Sequence, residues 1–371
     1  MMSETHGPVV TALSARAYRI PTDRPEADGT LSWDATTMVV VQVHAGGKSG
    51  FGYTYVDACA ASLIQTVLGK VLEARDSFDI PGAWEAMQRA IRNNGREGIT
   101  ACAISAVDVA LWDLKARHLQ LPLARLLGRA RSRIPIYGSG GFTTYSDAEL
   151  RDQLSGWVER DGCRWVKMKI GSDPQRDPQR ALVAKRAIGD RELFVDANGA
   201  LSVRQALWFI DAAAEADIRW FEEPVTSDDV PGLRLLRARL PETTDVAAGE
   251  YIYTLDDARR LLDPEAIDVL QVDVTRCGGV TGFLKVSTLC DAHHLDLSGH
   301  CAPSLHCSVA CAAPRLRHLE WFHDHVRIEH LLLEGAPRPQ GGTIQPDLTR
   351  PGHGLEFKTK DAERYAVGEA G

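Results

Sequence analysis

The sequence predicts an α/β protein: a TIM-type (β/α)8 barrel preceded by an α+β domain and followed by a C-terminal segment. Three observations carry this. Strand-like runs recur roughly every 25–30 residues from Ile134 to Phe322, most of them followed by a helical pattern. Successive runs end in ionisable residues, at the position where such barrels hold their chemistry. The chain before Arg133 has another rhythm, strands first and helices after. An open doubly wound sheet fits less well, because no GxGxxG loop follows any run.

Residues 1–132 are assigned to the first domain, a cap. Val10–Ile20 and Thr37–Val43 alternate apolar and polar side chains and read as antiparallel strands. The polar stretch PTDRPEADGTLSWD (21–34) and GFGYTYV (50–56) read as lid loops over a site. ITACAISAVDVALWDLKARHL puts Ile104, Val107, Leu111 and Leu114 on one helical face. Pro122 opens a short helix that Gly128 closes, and RARSR marks the boundary.

Residues 133–334 are assigned to the barrel. Its strands are IPIY (134–137), RWVKMKI (164–170), ELFVDAN (192–198), IRWFEEP (218–224), DVAAGEY (245–251), DVLQVDV (268–274), LDLSGH (295–300) and HLEWF (318–322). Ser202 is an expected N-cap, and Thr254 with Asp257 an expected capping box. Residues 335–371, rich in Pro and Gly, are expected to pack back on the cap.

Composition narrows the function. The chain has 371 residues, 44% hydrophobic and 25% charged, ordinary for a globular protein. A net charge of −8 without a basic stripe argues against nucleic acid. No run is long enough to span a bilayer, and the first twenty residues hold no signal-peptide core, so a cytoplasmic enzyme without membrane partners is expected. The eight cysteines contain no CxxC pair and read as reduced, small core side chains. His300, Cys301, His306, Cys307 and Cys311 match no common zinc spacing.

The strand ends carry the chemistry. Lys167 and Lys169, two apart on one strand, project from the same face. Burial and mutual repulsion would lower their pKa values, which suits a base. Asp196, Glu222 and Glu250 end the next three strands. Converging carboxylates require a cation, and hard oxygen ligands select Mg2+, with Mn2+ possible in its place. Glu223 is expected to face the other way. Asp273 and His300 form a carboxylate–imidazole pair that fixes the tautomer of a second acid/base. Glu320, if protonated, would hydrogen-bond a substrate carboxylate. A metal between two bases suits removal of the proton next to a carboxylate, with the enediolate stabilised by Mg2+ and Lys167.

CAISAVDVALWDLKAR, VKMKI, FVDANG, WFEEP, AAGE, VDVTRCGGVTG, SGH and HLEW together resemble the mandelate racemase subgroup of the enolase superfamily. Glutamate at Glu250 favours this subgroup over the muconate-lactonizing one. The resemblance implies Lys169 as one base and Lys167 on the substrate carboxylate, with Asp196, Glu222 and Glu250 as Mg2+ ligands and His300–Asp273 as the opposite base. It implies a capped barrel, often of (β/α)7β form, a small-molecule carboxylate substrate, and a homo-oligomer between dimer and octamer. Ser139, Asn198, Trp33 and Tyr53 are further candidate substrate contacts.

The reaction expected is dehydration of an aldonate or aldarate to a 2-keto-3-deoxy acid. Asp23, Arg24, Glu26, Asp28, Thr30 and Ser32 in the first lid suit a polyol. Trp33, Phe51, Tyr53 and Tyr55 favour the alternative, a racemase or epimerase of a 2-hydroxy acid. A non-catalytic binding barrel would have lost acid/base positions, and none is missing.

Overall fold

The protein is described here by a computed structural model covering residues 7–368; Glu4 and His6, part of the stretch without a signal-peptide core, lie outside the described residues. The cap begins as an antiparallel meander of β1 (Val10–Ala27), β2 (Ser32–Ala45) and β3 (Lys48–Tyr55). Both expected lid loops are therefore largely strand. β1 and β2 continue into the polar stretch, with a register shift between Pro21 and Glu26, and only residues 28–31 turn. GFGYTYV falls almost entirely in β3, a buried edge strand, not a loop. Gly50 and Gly52 let its backbone lie on the helix Ile99–His118, since a Cβ there would stand 2.1 Å from Ala110 O and 2.2 Å from Ala106 O.

That helix is the hub of the cap. Ile104, Val107, Leu111 and Leu114 are at most 1% exposed and pack with Val39, Val41 and Val43 of β2. Its other side meets the barrel: Asp108 accepts from Thr281 N (2.9 Å), and Ser105 Oγ accepts from Gly278 N (2.9 Å). The VDVTRCGGVTG segment is thereby clamped between cap and barrel.

Eight parallel strands close the barrel: β4 (Ile134–Gly140), β5 (Trp165–Lys169), β6 (Glu192–Asp196), β7 (Ile218–Glu222), β8 (Asp245–Ala248), β9 (Val269–Val272), β10 (Asp296–Gly299) and β11 (Leu316–Phe322). β11 pairs with β4 to complete the ring. The helix His323–Leu332 follows the last strand and meets the cap, where Glu329 accepts from Tyr53 and Arg327 donates to Pro21 O. Ser202 with Gln205, and Thr254 with Asp257, form capping boxes at their helix starts. The barrel floor is filled by Tyr137, Phe194 and Trp220, ringed around His318, and is a packed core rather than a pore.

The C-terminal segment returns to the cap. Phe357 packs against Tyr18 and Phe51, Val367 N donates to Ala17 O, and His353 N donates to Asp113 of the hub helix. No helix among the described residues is long and apolar enough to cross a membrane.

Candidate active site

In a parallel barrel every strand points its last side chains at one mouth. Here Asp196, Glu222 and Glu250 each bring a carboxylate oxygen within 4.8 Å of the others, all buried. Burial and then Asp196 push the Glu222 carboxyl up to about 8, the signature of acids crowded without enough positive charge. Glu250 Oε2 is buried without an aligned hydrogen-bond partner, although His300 Nε2 is 3.3 Å away. A buried trio of hard oxygens with one left unsatisfied fits Mg2+.

The lysines flank this trio. Lys167 Nζ donates to Glu222 Oε1 at 2.5 Å and lies 2.8 Å from Glu320 Oε1; Lys169 Nζ donates to Asp196 Oδ2 at 2.5 Å. The expected lowering of their pKa values is not what the structure shows. Burial does pull both down, but Glu222 and Glu320 at Lys167, and Asp196 at Lys169, outweigh burial and raise them. Repulsion between two ammonium groups is the smaller effect beside carboxylates in direct contact.

His300 enters from the next wall. Its Nδ1 meets Asp273 Oδ2 at 2.8 Å, leaving Nε2 turned towards Glu250 and Glu320. Burial disfavours the imidazolium, but neighbouring Cys301 and Glu250 hold the His300 pKa well above its usual value. Burial likewise opposes ionisation of Asp273, yet its bond to His300 holds that carboxyl well below the usual range. Glu320 is also ionised: Lys167 and His300 overcome the burial that would neutralise it. The expectation of a protonated Glu320 is thus corrected by an ammonium group 2.8 Å away.

The other candidates divide. Ser139 Oγ donates to Glu320 Oε1 at 2.6 Å and so orients that carboxylate. Asn198, in a left-handed backbone conformation (φ +46°), donates its N–H to Asp196 and leaves its buried Oδ1 without a partner. Trp33 lines the mouth against Phe142, in a cluster with Tyr145, Phe322 and Cys301. Tyr53 is corrected: it is fully buried, and its hydroxyl donates to Glu329 at 2.8 Å in the joint between cap and barrel, because β3 is a buried strand rather than a loop. Glu223 is corrected too. A positive φ of 35° breaks the strand alternation, and its carboxyl is raised first by burial and then by Glu250 and Asp196, on the metal-ligand side. Arg276, with Nη1 3.7 Å from Glu250 and Nε 3.7 Å from Asp273, went unread, and Cys301, weighed only for zinc spacing, lies beside His300. The only sequence signal was their nearness to Asp273 and to His300.

The turn of the β1–β2 ribbon shuts the mouth. Thr143 N donates to Ala27 O, Thr143 Oγ1 to Asp28 O and Thr144 Oγ1 to Pro25 O. Gly29 seats on the ends of β5 and β6, where a Cβ would stand 2.6 Å from Ala197 O and 2.7 Å from Ile170 O. Lys169, Glu250 and His300 are accordingly 4–6% exposed.

Two family models match: "Mandelate racemase / muconate lactonizing enzyme, N-terminal domain" over residues 15–128 and "Enolase C-terminal domain-like" over residues 149–362. The chain belongs to the mandelate racemase/muconate lactonizing enzyme family of the enolase superfamily. As a member it is an enzyme, and Mg2+ is its cofactor. A 3,6-anhydro-alpha-L-galactonate cycloisomerase of Streptomyces coelicolor is 31% identical over 361 residues, 95% of this chain and 98% of the relative. A mandelate racemase/muconate lactonizing enzyme-like protein from Rubrobacter xylanophilus has the same fold, with TM-score 0.94 and 50% identity over 97% of this chain and 100% of the other. The L-talarate/galactarate dehydratase of Salmonella typhimurium, solved with Mg and L-lyxarohydroxamate, superposes with TM-score 0.90 at 25% identity over 99% of this chain and 95% of that one.

Proposed function

We propose that this enzyme removes the proton α to the carboxylate of a sugar acid and expels the β-hydroxyl as water, giving a 2-keto-3-deoxy acid. The observation that carries the reading is the placement of an amine, Lys169, and an imidazole, His300, on either side of three buried carboxylates. Asp196, Glu222 and Glu250 are the residues to hold Mg2+. When bound, the ion supplies Lewis-acid withdrawal of charge from the substrate carboxylate.

The residues have distinct roles in this reading. Lys169 takes the α-proton; once the carboxylates beside it are neutralised, its ammonium loses the field that holds it charged. Lys167 stays cationic and stabilises the oxygens of the enediolate, where charge grows in the transition state. His300, aligned by Asp273 through Nδ1, holds a proton on Nε2 for the departing hydroxyl. Glu320, oriented by Ser139, keeps Lys167 and His300 charged between turnovers.

The sugar-acid reading is supported by polar atoms kept dry and unpaired. Glu26 Oε1 in the ribbon and Asn198 Oδ1 at the end of β6 have no partner and suit hydroxyl groups. The other lid polar groups face elsewhere: Arg24 pairs with Glu149, Asp28 caps its own turn, and Asp23 meets His323. The relatives named for galactonate and for talarate and galactarate act on sugar acids as well. The Trp33–Phe142 wall favours the second reading, racemisation or epimerisation of a 2-hydroxy acid. A sugar-acid library assayed for 2-keto acids with Mg2+ tests the choice. Absence of product from every sugar acid, with α-proton exchange on an aryl or alkyl 2-hydroxy acid, would overturn dehydration.

A further inference from the structure

Beside the oxygen trio lies a second set of ligand atoms with different chemistry. Cys301 Sγ is 3.4 Å from His300 Nε2 and 3.3 Å from Glu320 Oε2, and Nε2 is 3.7 Å from Oε2. All three side chains are buried. Zinc holds sulfur at about 2.3 Å and nitrogen or oxygen at about 2.0–2.1 Å, which sets tetrahedral ligand atoms roughly 3.3–3.6 Å apart. The triangle therefore matches zinc to within about 0.4 Å on its longest side, before any relaxation.

The supporting shell is also in place. Asp273 holds His300 Nδ1 and so directs Nε2 at the triangle, the arrangement that orients and strengthens metal-ligating histidines. Ser139 holds Glu320 through its other oxygen, Oε1. Cys301 sits in a left-handed turn (φ +48°) with its N–H on Glu320 Oε2 at 3.0 Å, which fixes the direction of the thiol. A nitrogen–sulfur–oxygen set selects zinc, whereas the neighbouring all-oxygen trio selects magnesium.

We propose that His300, Cys301 and Glu320 form a zinc-selective site, distinct from the magnesium carboxylates, at which zinc inhibits the enzyme by occupying the imidazole nitrogen. Binding forms one Zn–S, one Zn–N and one Zn–O bond, releases the thiol proton of Cys301 and the Nε2 proton of His300 to solvent, and changes no oxidation state. Inhibition rests on the proposed role of His300; binding does not, so binding is read optically and apart from turnover.

The test uses the full chain, saturated with Mg2+ and titrated with Co2+ as an optical stand-in and then with Zn2+. One equivalent of Co2+ is expected to raise a near-ultraviolet thiolate-to-cobalt band, which Zn2+ removes and excess Mg2+ does not. Cys301→Ser is expected to lose the band, and Glu320→Gln to bind Zn2+ at least tenfold more weakly, with Mg2+ affinity and melting temperature checked for both. No band, a band unchanged in Cys301→Ser, or one-for-one displacement of Co2+ by Mg2+ would overturn the site. Undiminished turnover with the zinc site filled would overturn the inhibition and the role of His300, while the band still reports the site.

Discussion

Gly29→Ala tests whether the closed ribbon seen here is the working form. The added methyl would stand 2.6 Å from Ala197 O, 2.7 Å from Ile170 O and 2.8 Å from Ala200 Cβ. Two of these neighbours are backbone oxygens at strand ends that also carry the site, so they cannot turn aside. The ribbon must lift. Overpacking of this kind costs about 1–3 kcal/mol. At about 1.4 kcal/mol per tenfold, the closed population falls roughly five- to 150-fold. The barrel core is untouched, so Mg2+ affinity and melting temperature stay near wild type. Steady-state kinetics on the identified substrate, with calorimetric Mg2+ titration, would show kcat/KM falling by that factor and the metal isotherm unchanged. A variant with wild-type kcat/KM would show that turnover does not require Gly29 to seat.

Further expectations follow from the same geometry. Lys169→Ala and His300→Asn are each expected to lower kcat by about 10²–10⁴-fold, the usual worth of a positioned acid or base, while Mg2+ binding persists; full activity in either would refute the assigned bases. Asp196→Asn is expected to lose calorimetric Mg2+ binding, because it leaves two charged ligands at a site built for three; an unchanged isotherm would place the metal elsewhere. Glu26 is pushed up to about 8 by burial and then by Asp324, so lid closure favours its neutral form. Its contribution is complete below the ordinary carboxylate range and lost as pH rises towards 8; the ratio of wild-type to Glu26→Gln kcat/KM should fall over that window, and parallel profiles would contradict it. Gly82, in the helix Ile80–Ala90, has open space where a methyl would be added, with no neighbouring atom within 4 Å. Gly82→Ala should therefore stabilise by about 0.4–1 kcal/mol in denaturant unfolding, and a destabilised variant would count against the open surface described there.

The periodic part of this protein was legible in its sequence. The eight barrel strands repeat a short apolar run, and each acidic or basic end falls where the chain leaves its strand, so Asp196, Glu222, Glu250 and His300 were readable one by one. Capping boxes such as Ser202–Gln205 were readable too, because their bonds span three residues. Tertiary structure decided everything that depends on distant neighbours. Local alternation assigned Glu223 to the outside; one left-handed residue turned it back among the carboxylates. Gly-rich GFGYTYV looked like a loop; contact with a helix more than fifty residues away made it a buried strand and took Tyr53 into a joint. The charge states of Lys167 and Glu320 were set by an ion pair between the ends of β5 and β11, 153 residues apart in number. Sequence records what each residue can do nearby, whereas proton affinity and burial are sums over whatever the fold brings within a few ångströms.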